Sequence, residues 1–77
     1  MSALIDELRG RPKPPDPSVA QAIRVGAGVS QSRLARELGV HPVTVARWEC
    51  GTRSPRGETL RAYVALLAEL QTVMVPQ

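Results

Sequence analysis

One cysteine and one histidine stand among the 77 residues, and each scarcity excludes something. A single thiol closes no disulfide framework within the chain. A structural zinc site takes about four protein ligands, which makes one built on Cys50 and His41 implausible. No metal or other cofactor is expected. No apolar run approaches the roughly 18–20 residues of a membrane span, so no membrane contact is expected. The first eight residues, Met-Ser-Ala-Leu-Ile-Asp-Glu-Leu, carry acids where a secretory signal carries bases, and a cytoplasmic location follows as the expectation. Lysine is almost missing as well: nine of the ten basic residues are Arg. Arg is the side chain suited to bidentate contacts with phosphate and guanine.

The net charge of +3 is unevenly placed. Residues 1–17 are neutral, residues 18–57 carry +4, and residues 58–77 carry −1. A basic middle is either a solvated surface or a footprint for nucleic acid. A core in chains of this length rarely supplies more than about 3–5 kcal/mol, so help from a partner subunit or ligand is plausible.

The spacing of apolar residues predicts an all-α fold. A short helix fits residues 2–9, with Leu4, Ile5 and Leu8 on one face. Four prolines in residues 12–17 then exclude helix and sheet, and the stretch reads as an extended connector. Residues 1–17 are thus a short helix with a Pro-rich connector, and residues 18–77 the main domain. Asp16-Pro17 starts a helix over about 17–26, with Val19, Ala22 and Ile23 inward. A second helix runs about 31–38, capped by Ser30 and ended by Gly39, with Leu34, Ala35 and Leu38 inward. A third runs from His41-Pro42 to about 50, with Val45 and Trp48 inward and Gly51 as its stop. A fourth runs from about 57 to 73. No segment alternates with period two long enough to be a strand.

Helices two and three carry the functional signal. Ala35 is small where the next helix crosses, Gly39 makes the turn, Val40 plugs the corner, and Val45 and Trp48 anchor the third helix. This is a helix-turn-helix, in which the second helix of the pair enters the major groove. Residues 18–71 resemble the Xre-type helix-turn-helix family of phage repressors and Cro proteins. The resemblance lies in Val29-Ser30-Gln31, in Leu34-Ala35-Arg36-Glu37-Leu38-Gly39-Val40, and in Val45-Ala46-Arg47-Trp48-Glu49-Cys50-Gly51.

The resemblance implies a sequence-specific regulator of transcription that binds double-stranded DNA, commonly as a homodimer on a palindromic operator. It implies that Gln31 meets a phosphate, and that His41, Pro42, Val43 and Arg47 occupy base-reading positions. Pro42 and Val43 depart from the Gln or Arg that would read bases by hydrogen bonds. Val43 instead suits a thymine methyl, and hydrogen-bond readout falls on Arg47, with His41 and Thr44 as helpers. Arg53 and Arg56 match phosphate-touching positions, and Arg33 is expected at the backbone too. Arg24 and Glu49 match an ion pair that bridges the first and third helices. The alternative is an antitoxin or protein-interaction module of the same fold that autoregulates with a protein partner.

Cys50 reads as a spacer before Gly51, and nothing in the sequence pairs a nucleophile with a base, so no enzyme is expected. Trp48 and Tyr63 read as core. The fourth helix shows two apolar stripes, one of Leu60, Val64, Leu67 and Met74, the other of Leu66, Leu70 and Val73. A helix apolar over most of its girth is covered on more than one side. A two-fold dimer through Leu4, Ile5, Leu8, Leu66, Leu70 and Val73 is the expectation, the alternative being a monomer whose N-terminal helix caps its own core.

Overall fold

The computed structural model describes residues 13–73. These form four helices and, among the described residues, no strand: α1 Pro17–Gly26, α2 Gln31–Leu38, α3 Pro42–Cys50 and α4 Gly57–Thr72. The expected short helix at residues 2–9, with Leu4, Ile5 and Leu8, lies outside the described residues, as does Met74.

Each of the first three helices starts on a side chain that accepts from a free N–H of its first turn. Asp16 accepts from the Ser18 N–H at 3.0 Å and from the Ser18 hydroxyl at 2.7 Å. Ser30 Oγ accepts from the Arg33 N–H at 3.0 Å. His41 Nδ1 accepts from the Val43 N–H at 3.1 Å. The same three helices end alike. The Val29, Val40 and Thr52 N–H groups reach back to the carbonyls of Arg24, Ala35 and Arg47 at 3.0–3.1 Å. This is the Schellman arrangement, which needs a left-handed residue at the turn. Gly39 and Gly51 supply it, with φ of 69° and 80°.

Ala20, Leu34, Ala35, Val45, Trp48, Tyr63 and Leu67 make one buried cluster. Ala35 and Val45 are fully enclosed where α2 and α3 cross, and only a small side chain lets two backbones approach there. Trp48 and Tyr63 join α3 to α4, with ring centroids 4.8 Å apart and planes inclined at 44°, a favourable tilted contact. Pro14 to Pro17 and Pro55 line a cleft together with the same two rings.

One expectation about an inward face needs correction. On α1, Val19 and Ala22 are exposed, and the inward residues are Ala20 and Arg24, with Ile23 half-buried. The helix is turned by about one residue, because Arg24 must face Glu49 and Ala20 must clear the crossing. On α4, the buried residues are Leu60, Tyr63 and Leu67. Leu66 and Leu70, of the second stripe, pack half-buried against the core. Val73 is 64% exposed. The outer face of α4 carries Ala62, Ala65, Ala68 and Glu69, all exposed.

The Tyr63 hydroxyl is buried without a hydrogen-bond partner. Burial, then the nearby Glu49 charge, pushes its ionisation up to about 12. Tyr63→Phe therefore removes no hydrogen bond, and urea denaturation should show stability unchanged or raised. Trp48→Ala should cost about 3–5 kcal/mol, comparable to the whole stability of so small a domain, and circular dichroism should find it largely unfolded.

Candidate nucleic-acid interface

Helix α3 presents two faces. Val45, Trp48 and Glu49 are buried, and His41, Val43, Arg47 and Cys50 are exposed. Thr44 and Ala46 lie half-buried between them. Val43 and Arg47 are four residues apart, so they stand on the same side of the helix one turn from each other. Val43 is 46% exposed. With Nδ1 of His41 occupied by the Val43 N–H, the neutral ring carries its proton on Nε2, a donor left for an outside acceptor.

The opposite face is held by a network of charge. Arg24 Nε donates to Glu49 Oε2 at 2.6 Å, and its Nη2 donates to Oε1 at 3.0 Å. Its remaining amine, Nη1, donates to the Val29 carbonyl at 2.8 Å. Gln31 Nε2 donates to Glu49 Oε1 at 3.0 Å. The four groups tie α1, the α1–α2 link, the first residue of α2 and the last turn of α3 to one carboxylate. Burial by itself would push the Glu49 carboxyl up. The hydrogen bonds from Arg24 and Gln31, with the Arg24 charge, hold it below its ordinary value of 4.5. The Glu49 hydrogen bonds in turn raise the Arg24 guanidinium.

The Gln31 and Val29 links were not legible in the sequence. Only the seven-residue step from Arg24 to Gln31 hinted that the two share a site. The Gln31 side chain thus commits one N–H to Glu49. Its second side-chain N–H and its backbone N–H, at the first position of α2 where no earlier helical carbonyl accepts, remain for an anion.

The buried pair also sorts the surface charge. With Arg24 and Glu49 cancelled inside, the exposed groups of residues 18–57 are Arg33, Arg36, Arg47, Arg53 and Arg56 against Glu37 alone. Arg53 and Arg56 stand exposed on the loop after α3, and Arg33 on the outer face of α2. Pro55 between the two loop arginines is buried and fixes their loop to the domain. Among the described residues, no three His, Cys, Asp or Glu side chains gather as metal ligands, and no helix is long and apolar enough to cross a membrane.

A family model described as helix-turn-helix matches residues 21–69. The match runs from within α1 to within α4 and takes in the whole charge network. No curated protein matches the chain. The chain belongs to this helix-turn-helix family, of the Xre and Cro type, and is a DNA-binding regulator of transcription.

Glu49→Ala should destabilise the fold by about 3–5 kcal/mol, because it leaves the Arg24 charge buried without a partner. The pH dependence has a definite sign. A carboxyl depressed on folding adds stability that is present above its unfolded value and lost as pH falls through its folded value. Wild type should therefore weaken as pH drops below 4.5, the ordinary value of Glu49. Glu49→Gln should lack that component, which urea midpoints measured between neutral and strongly acid pH will read.

Proposed function

We propose that this member of the helix-turn-helix family is a repressor that binds a palindromic operator as a two-fold dimer. The observation that carries the reading is the split of α3. Its inner face is clamped by Trp48 and Glu49, and exposed Arg47 and Val43 stand one turn apart on its outer face. A recognition helix needs a rigid inner face, because base edges are read to within a fraction of an ångström.

In this reading Arg47 donates in a bidentate fork to guanine, and Val43 lies against a thymine methyl. His41, through Nε2, and Thr44 assist at the near end of the helix. Gln31, Arg33, Arg53 and Arg56 hold the phosphates on either side and set the register, without reading sequence. Arg24 and Glu49 touch no DNA and position Gln31 and α3. Two copies related by a two-fold axis set their recognition helices about 34 Å apart, one turn of DNA. Leu66, Leu70 and Val73, on one flank of α4, form the seam with Leu4, Ile5 and Leu8. Bound there, the dimer represses by occupying the operator.

Selection of bound duplex from a random pool tests the reading, and should return a two-fold symmetric site with a guanine in each half. Arg33, Arg53 and Arg56 in each of two subunits neutralise about six phosphates, so the log–log salt slope should be roughly −5. A slope shallower than about −2 would remove the basic middle as a DNA face.

Arg47→Ala should cost about 1–3 kcal/mol per half-site and relax preference at one base pair, whereas Arg56→Ala should weaken all sequences alike. A panel of operator variants that cannot tell the two mutants apart would overturn their assigned roles. Sedimentation should find a dimer at tens of micromolar, and Leu66→Glu should shift it toward monomer.

A further inference from the structure

A cleft of about 640 Å³ opens between α2 and the C-terminal half of α4. Val29, Leu34, Leu66 and Leu70 form its apolar part, and Arg33 and Arg36 line it beside them, with Glu37 as the one acid. Among the described residues neither arginine takes part in an ion pair.

The first twelve residues lie outside the described part, and their sequence holds the complementary pattern. Leu4, Ile5 and Leu8 are apolar, Asp6 and Glu7 are acidic, and Arg9 is basic. Where this stretch joins the fold, Pro14 lines one cleft with Gly57, Leu60 and Arg61 at the start of α4. At 3.6 residues per turn, positions 57, 60 and 61 fall about 150° around α4 from positions 66 and 70. A segment reaching the cleft of its own copy must round the outer face of α4. It must also climb the roughly 9–15 Å from Leu60 to Leu66 and Leu70. The six residues from Leu8 to Pro14 span about 20 Å at full stretch, which leaves that path taut. A second copy packed along α4 delivers the segment without the wrap.

We propose that residues 2–9 of one copy occupy the α2–α4 cleft of the other, so that the dimer is held by exchanged N-terminal segments. The inference rests on the dimer reading above and adds what covers the cleft. Leu4, Ile5 and Leu8 lie on Leu66 and Leu70. Asp6 and Glu7 face Arg33 and Arg36, and Arg9 faces Glu37. Each copy then completes the apolar surface of the other beside α2, the helix that carries Gln31.

The test uses the full chain in two forms. One carries Cys50→Ser, which removes the exposed thiol, and Ser2→Cys bearing a nitroxide. The other carries Cys50→Ser alone and is labelled with ¹⁵N. Mixed at a concentration where sedimentation gives the dimeric mass, the nitroxide copy should broaden the Val29, Arg36, Leu66 and Leu70 amide signals of the labelled copy. Reduction of the nitroxide should restore them.

Broadening seen only when both labels share one chain, diluted in unlabelled protein, would place the segment in its own cleft and overturn the exchange with the dimer intact. A dimer with no broadening would overturn it equally. A monomeric wild type would sink the dimer reading, and the exchange with it. Independently, Arg36→Glu should weaken dimerisation roughly two- to tenfold, and adding Glu7→Arg should restore most of the loss. A double variant no better than Arg36→Glu would refute the pairing.

Discussion

The Glu49 side chain is only 2% exposed, and a carboxylate at that depth persists only when its charge and lone pairs are met. Arg24 meets the charge through a two-pronged contact, and Gln31 meets a remaining lone pair. Much of the geometry follows from that requirement. Arg24 has to face inward, so α1 is turned to place Ala20 and Arg24 at the core while Val19 faces water. The Val29 carbonyl has to receive the third arginine amine, so the link after α1 takes one course. The last turn of α3 has to come within reach of the first turn of α2, which sets the angle of the pair.

A buried ion pair is weak support for net stability, since two charges lose their water to form it. Its contribution here is positional. The apolar contacts of Leu34, Ala35, Val45 and Trp48 favour α2 and α3 meeting, but such contacts are not directional. Three guanidinium bonds and one amide bond, each with its own direction, select one register among the packings that apolar burial allows. Trp48 against Tyr63 then ties this unit to α4. The outer face of α3 carries none of this duty, which leaves the Val43 and Arg47 side chains exposed.

The helix ends act in the same sense. Three consecutive helices begin on a side-chain cap and end on a chain reversal of one type. Helices of 8–10 residues are too short to hold themselves together in water. The caps satisfy the free groups at both ends and keep the links to a few residues. His41 serves two purposes in this scheme, as the cap of α3 through one nitrogen and as an outward donor through the other.

The order and bounds of the described helices were legible in the sequence because their signals are local. Asp16-Pro17, Ser30, Gly39, His41-Pro42 and Gly51 act on their own turn of backbone, and no distant contact is needed to read them. The same holds for the inward placement of Leu34, Ala35, Val45 and Trp48, where helical period and small-residue spacing agree. The family resemblance also rested on this contiguous stretch.

Tertiary structure alone decided the face of α1. Val19 looked inward by hydrophobicity, yet the rotation of α1 is set by Arg24 meeting a carboxylate 25 residues away. The hold of Glu49 on Gln31, and of Arg24 on the Val29 carbonyl, likewise joins residues whose nearness exists only after the helices have packed. Local backbone chemistry is written in neighbouring letters; the rotation of a helix about its axis is settled by the partners it finds across the fold.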